Sequence, residues 1–141
     1  MLIRQFQFSV QTAGRGLFDL TETVSKLATQ ANMSVGICHL FLHHTSASLI
    51  LSEHADPLVK SDLETFMQRL VPDSDSLYEH NAEGPDDMPA HIRSVLTQSF
   101  LSIPLTHKCL ALGKWQGIYL WEHRVKPHQR HLTLTILGQD K

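Results

Sequence analysis

Three stretches of the chain gather side chains that can do chemistry. The first is His43-His44-Thr45-Ser46-Ala47-Ser48, followed by Glu53 and Asp56. Imidazole is the usual nitrogen ligand of a metal and the side chain that moves protons near neutral pH. Neighbouring residues of a regular strand point to opposite faces, so His43 and His44 cannot both serve one site there. The plainer reading is a buried imidazole that satisfies backbone groups while Thr45 and Ser46 shape a bend.

The second stretch runs from Tyr78-Glu79-His80 through Glu83-Gly84-Pro85-Asp86-Asp87-Met88-Pro89-Ala90-His91. Acidic residues ahead of a helix offset the positive end of its dipole, and that alone would account for Asp86 and Asp87. His91, however, lies at helical spacing from Met88 and Val95, close to the expected buried stripe. Asp87 stands four residues before it and can accept its spare N–H, as carboxylates do behind a metal-bound imidazole. His44, His80 and His91, drawn from separate elements, would make a three-histidine site with an open position, the arrangement of a catalytic zinc. In the third stretch, Trp115-Gln116-Gly117 to Glu122-His123-Arg124, strand alternation places Glu122 and Arg124 on one face. That pair is either a strand-end ion pair of little energetic worth or an anion clamp, because a guanidinium presents a planar fork to phosphate or carboxylate.

The elements that must position these groups are legible from pattern. The 141 residues carry 12 Lys+Arg, 14 Asp+Glu, 10 His and 2 Cys. This length fits one α+β domain over residues 1–141, with a core that needs no disulfide or metal staple. A net charge of −2 without a basic cluster argues against a nucleic-acid partner. No apolar run is long enough to span a membrane, and the start lacks a signal-peptide core. With two cysteines outside any paired motif, a reduced, cytoplasmic protein is expected.

Ile3 to Gln11 alternates as a strand with one wet face. Asp19 is expected to cap a helix carrying Leu20, Val24, Leu27 and Ala28, with Glu22 in a capping-box position. Val35 to Leu42 and Ser48 to Ser52 are apolar on both faces, which predicts a central strand pair interrupted by the polar segment between them. Asp56-Pro57 opens a second helix with Val59, Leu63, Phe66 and Leu70 on its inner stripe. Residues 73–87 read as a loop long enough to be functional. A third helix from Met88 or Pro89 to Leu96 is expected to bury Met88, Ile92, Val95 and Leu96. Strands Phe100–Leu105, Cys109–Leu112, Ile118–Arg124 and His131–Leu137 then read as a run of hairpins. The sum is a largely antiparallel sheet or sandwich with about three helices, and no nucleotide-binding glycine loop is present.

Taken together, His44-Thr45-Ser46-Ala47-Ser48-Leu49, Glu53 with Asp56-Pro57, Tyr78-Glu79-His80, Glu83-Gly84 with Asp86-Asp87-Met88-Pro89-Ala90-His91-Ile92, and Trp115-Gln116-Gly117-Ile118 with Glu122-His123-Arg124 resemble the YjbQ-like family. This is a widespread group of small uncharacterised proteins credited with a secondary thiamine-phosphate synthase activity. The resemblance spans nearly the whole chain. It implies an α+β homotrimer with a polar pocket for a divalent metal, zinc foremost, with magnesium an option beside a diphosphate. Ser52, Pro85 and Lys114 depart from the family pattern; Ser52 and Lys114 border the expected pocket and bear on substrate preference. Only His44, His80, His91 and His123 among the ten histidines fall at positions the resemblance carries over.

The resulting expectation is a metal-assisted enzyme acting on a small phosphorylated metabolite. His44, His80 and His91 would hold the metal. Glu53 or Asp87 would orient a ligand or carry a proton, and Arg124 with Thr45 and Ser46 would hold phosphate oxygens. Asp86, Glu122, Trp115 and Gln116 complete the expected substrate-contacting set. Metal-dependent hydrolysis suits the same parts. The rivals are a trimeric module that binds metal or metabolite without turnover, and a structural polar network.

Overall fold

The structure is a computed structural model that describes residues 1–140. Its elements run β1 (Leu2–Gln11), β2 (Gly16–Asp19), α1 (Thr21–Gln30), β3 (Val35–Leu42), β4 (Ala47–Glu53), α2 (Pro57–Leu70), α3 (Asp87–Leu96), β5 (Phe100–Thr106), β6 (Cys109–Leu110), β7 (Gln116–Glu122) and β8 (Gln129–Gln139). A five-stranded sheet, β1-β8-β3-β5-β6, packs on a three-stranded sheet, β2-β7-β4, and every pairing is antiparallel. The fold is α+β, largely antiparallel, with three helices, as the pattern predicts.

The core lies between the sheets. Leu40, Leu42, Leu132, Leu134 and Ile136 from the large sheet meet Leu49, Ile118 and Leu120 from the small one, closed by Val24 and Ala28 of α1. A second cluster, Met67, Val71 and Trp121 with Leu63 and Ile92, packs α2 and α3 on the other side of the small sheet. The small sheet is therefore a middle layer, which is why β7 is buried from Gly117 through Glu122. By contrast β5 and β8 alternate buried and exposed residues, because the far face of the large sheet is open to solvent.

That layering corrects several expectations. Strands β3 and β4 are not partners: β3 pairs with β5 and β8, β4 with β7. The segment 43–46 carries the chain from one sheet to the other, and dense hydrophobicity on both faces describes β4 but not β3, which exposes Val35, Ile37 and Phe41. β8 likewise joins β1 and β3 rather than forming a hairpin with β7. On α2 the inner stripe runs through Leu63, Met67 and the following Val71, while Phe66 and Leu70 are more than half exposed. On α3 the buried positions are Asp87, Pro89, Ala90 and Arg93; Val95 is 83% exposed and Leu96 57%. Ion pairs to Arg124 and Glu64 make burial of Asp87 and Arg93 affordable, which apolar periodicity cannot foresee. Asp19 does not cap α1; Leu20 is the N-cap, and the Asp19 carboxylate accepts from the Thr21 backbone N–H at 2.9 Å.

The turn between β5 and β6 is built without glycine. His107 and Lys108 join β5 to β6 with φ of 51° and 65°, the left-handed pair that a two-residue hairpin loop needs.

A candidate metal centre at the start of helix α3

Asp87 is the first residue of α3 and His91 lies one turn later on the same side. The preceding loop folds His80 back over them. His80 Nε2 lies 2.7 Å from Asp87 Oδ2, and His91 Nε2 lies 3.3 Å from that same oxygen. One ligand atom from each residue falls within 4.8 Å of the other two. Asp87 is buried, with its side chain 2% exposed, whereas His80 and His91 open to solvent at 53% and 30%.

Arg124, just beyond β7, holds this geometry. Its Nε donates to Asp86 Oδ2 and its Nη1 to Asp87 Oδ1, both at 2.9 Å, and its Nη2 donates to the Glu83 carbonyl at 2.9 Å. The Val125 backbone N–H adds a bond to Asp86 Oδ2 at 2.8 Å. The guanidinium thus pins the loop to the sheet end and takes one oxygen of Asp87, which leaves Oδ2 directed at the histidines. Burial alone would raise the Asp87 carboxyl; the His80 hydrogen bond and the Arg124 charge outweigh it and hold the group below the ordinary carboxylate range. Asp86 is held low in the same way, burial being overcome by the Val125 and Arg124 bonds.

His91 has a fixed proton position. Its Nδ1 lies 3.0 Å from the Thr45 carbonyl oxygen, which can only accept, so Nδ1 carries hydrogen. A neutral His91 then turns the Nε2 lone pair toward a carboxylate oxygen. Two acceptors facing at this distance require a cation between them, either a proton on Nε2 or a metal ion. A backbone carbonyl behind the distal nitrogen is also the usual support of a metal-bound imidazole.

Behind this centre lies a buried network. Glu122 accepts four hydrogen bonds: from the Thr12 hydroxyl at 2.8 Å, from Arg130 Nε at 2.8 Å, from Arg130 Nη2, and from the Arg124 backbone N–H at 3.1 Å. Arg130 Nη2 also reaches the Ser46 carbonyl and hydroxyl at 3.1 and 3.0 Å. His123 is fully buried, its Nε2 lies 2.8 Å from the Ser48 hydroxyl, and burial drives its imidazole down to about 3, so it is neutral.

The structure divides the residues singled out from sequence into three groups. His80, Asp87 and His91 come together, with Asp86, Arg124 and the Thr45 carbonyl around them. Asp87 stands as a member of the donor group rather than behind it. His44 is not part of that group; its Nε2 accepts from the His131 backbone N–H at 2.8 Å, and its ring stacks on His131. Ser46 is buried against Arg130, and Glu122 pairs with Arg130, not with the Arg124 guanidinium. Arg124 directs its fork to Asp86, Asp87 and the Glu83 carbonyl. The third group, Glu53, Trp115 and Gln116, sits at the far end of the small sheet. Register pairs Ala47 with Glu122 at one end and Glu53 with Gln116 at the other, a separation of roughly 20 Å at the rise of a strand. There Glu53 accepts from the Asp56 backbone N–H at 2.9 Å, Gln116 from that of Gly113 at 2.7 Å, and Trp115 is exposed.

Arg130 and Thr12 were missed from sequence. Arg130 had a signal: it occupies the inward register of β8 with Leu132, Leu134 and Ile136. A lone arginine in such a series implies a buried acidic partner.

Comparison with known proteins agrees with this architecture. The family described as "UPF0047 protein YjbQ-like" matches residues 6–139. The chain is 44% identical over 130 residues to UPF0047 protein sll1880 of Synechocystis, covering 92% of this chain and 88% of that protein. It is 40% identical over 136 residues to UPF0047 protein YjbQ of Escherichia coli O157:H7, covering 96% and 98%. Among solved structures, an uncharacterised conserved yjbq/upf0047-family protein of Clostridium acetobutylicum superposes with a TM-score of 0.86 at 31% identity, covering 94% of this chain and 99% of that one. A YbjQ-like protein of unknown function from Sulfolobus solfataricus shares the fold, with a TM-score of 0.86 over 98% of this chain. With nearly its full length matched by the family and by relatives at 40% identity or more, the chain belongs to the UPF0047 family of YjbQ-like proteins.

Proposed function

We propose that the chain is a metal-dependent enzyme whose cation is held by His80 Nε2, Asp87 Oδ2 and His91 Nε2. The observation that carries this reading is the fixed proton on His91 Nδ1, which leaves Nε2 to face a carboxylate oxygen 3.3 Å away across a gap that a proton or a metal ion must fill. Two imidazoles and one carboxylate suit zinc better than magnesium, which prefers an all-oxygen shell. Three protein ligands leave coordination positions open, the feature that separates catalytic from structural sites. A cation bound there would lower the pKa of its water towards ~7 and polarise a substrate oxygen. The chain's part is to orient: Arg124 aims Asp87, Thr45 fixes the His91 tautomer, and exposed His80 closes the third side.

The substrate class in this reading is a small phosphorylated metabolite, and hydrolysis is the simplest reaction these groups support. A secondary thiamine-phosphate synthase activity belongs to the same proposal and is tested by growth complementation of a strain lacking its synthase. A reducing cytoplasmic setting is also part of it, in keeping with the free Cys38 and Cys109.

Metal analysis of protein purified without a histidine tag tests the centre. About one zinc per chain is expected, with a fall of at least tenfold in affinity for His91→Ala; wild-type protein that binds no stoichiometric divalent metal would refute the reading.

A homotrimer is proposed as the working assembly. The open face of the large sheet carries apolar rows, Ile3–Leu137–Ile37 across β1, β8 and β3 and Phe41–Phe100 across β3 and β5. A different apolar surface is formed by Leu58, Phe66 and Leu70 on α2. Two unlike patches on one chain suit a head-to-tail ring rather than a twofold dimer. Light scattering after size exclusion should give three chains for the wild type and one for Ile37→Asp; a wild-type monomer or dimer would rule the ring out.

A further inference from the structure

Hydrogen-bond accounting at Arg130 exposes a second site beside the metal centre. A guanidinium has five N–H donors. Nε–H goes to Glu122, and the Nη2 hydrogens go to Glu122 and Ser46. Among the described residues Nη1 has one hydrogen-bonding neighbour, His44 Nδ1 at 3.4 Å.

His44 cannot accept there. The His131 backbone N–H points at His44 Nε2 at 2.8 Å, so Nε2 supplies the lone pair and a neutral ring must carry its hydrogen on Nδ1. Nδ1–H and Nη1–H therefore converge, two donors with nothing between them to receive their hydrogens. Burial and the adjacent Arg130 charge hold the His44 imidazole below its ordinary value, which keeps one hydrogen on the ring.

The position is built rather than incidental. Arg130 has a side chain only 4% exposed and is locked by Glu122 and Ser46 on its other edges. His44 opens on a cleft of about 480 Å³ whose wall also includes Thr45, Ala47, His91 and Ser94. The cleft thus has His44 at one point and a residue of the metal centre at another, linked through the Thr45 carbonyl that His91 holds, while Arg130 lies behind His44 and outside the lining.

We propose that His44 Nδ1–H, on the wall of this cleft, and Arg130 Nη1–H beside it form an oxyanion-binding subsite, receiving an oxygen of a phosphoryl or carboxylate group. The site itself rests on this donor geometry. Its role, presenting the anionic end of a substrate to the metal centre, rests on the function proposed above. Glu122 neutralises Arg130 from its far side, so the subsite suits a single exposed oxygen edge rather than a fully engulfed dianion. The assignment gives His44 a donor role and makes Arg130, not Arg124, the guanidinium that meets ligand.

The test is titration of full-length protein with inorganic phosphate, and separately acetate, followed by calorimetry and by the ring ¹⁵N–¹H signals of His44, both before and after dialysis against EDTA. Phosphate is expected to bind the metal-free protein, to shift the His44 Nδ1–H signal, and to bind about tenfold more weakly to His44→Ala, the loss of one charge-assisted hydrogen bond. Binding of phosphate alone identifies a phosphoryl subsite; binding of acetate as well extends it to carboxylates. Because removing Arg130 strands Glu122, Arg130→Lys serves as the second variant: its ammonium still reaches Glu122 but lacks the second arm, so phosphate affinity should fall while the circular dichroism spectrum is kept. Absence of anion binding by the wild type, or equal binding by His44→Ala and Arg130→Lys, overturns the subsite. Phosphate that binds only zinc-loaded protein and ignores His44→Ala also overturns it, while leaving the metal-centre reading intact.

Discussion

Glu122→Ala is expected to lower stability by about 3–5 kcal/mol, the usual cost of breaking one side of a buried ion pair. Glu122 and Arg130 are both buried, and the carboxylate accepts from Thr12, twice from Arg130 and from the Arg124 backbone. Truncation leaves all four donors without their acceptor and the Arg130 charge without its counter-ion. Glu122→Gln should cost less, because an amide oxygen still accepts from some of these donors. Urea unfolding monitored through Trp121, which packs in the adjoining cluster, measures the difference. A loss below about 1 kcal/mol for Glu122→Ala would mean that Arg130 is solvated or re-paired and that the network is not a fixed frame.

Arg124→Met is expected to affect both stability and metal. The guanidinium compensates Asp86 and Asp87 together, each at 2.9 Å. Without it two buried carboxylates lose their shared counter-ion and the loop loses its anchor at the Glu83 carbonyl. A destabilisation of about 3 kcal/mol is expected from the uncompensated charge. Zinc affinity should fall about 10–100-fold, as when an outer-shell partner of a ligand is removed, because Asp87 is free to rotate Oδ2 away from His80 and His91. Competition against a chromophoric chelator reads the affinity directly. Unchanged affinity would show that Asp87 is oriented by the helix start alone, or is not a ligand.

These two variants also mark where the sequence is legible. The alternation of β1, the Asp56-Pro57 start of α2 and the polar loop before α3 can each be read from local pattern, and the structure has them. Sheet partnership cannot be, because pattern reports how a strand is buried and not what buries it. β3 and β4 look alike as apolar runs yet belong to different sheets. The apolar residues Phe66, Leu70, Val95 and Leu96 fit a helical stripe but lie on its outer side. The inner side accommodates Arg93, whose charge is matched by Glu64 at 3.1 Å, a pairing 29 residues distant in sequence.

The same limit governs the candidate site. His80, Asp87 and His91 sit within twelve residues of chain, so a loop and one helical turn suffice to gather them, and their association was within reach of sequence. His44 was grouped with them by residue type, but its environment is set by two residues of β8, His131 and Arg130. Glu53, Trp115 and Gln116 are adjacent in register yet far from the centre, a separation that follows from strand length once β4 and β7 are known to pair.

Zinc-edge anomalous diffraction from zinc-loaded crystals tests the metal centre most directly. The account predicts one strong peak per chain at about 2.0–2.2 Å from His80 Nε2, Asp87 Oδ2 and His91 Nε2. Absence of a peak there, or a peak held instead by other histidines of the chain, would contradict it.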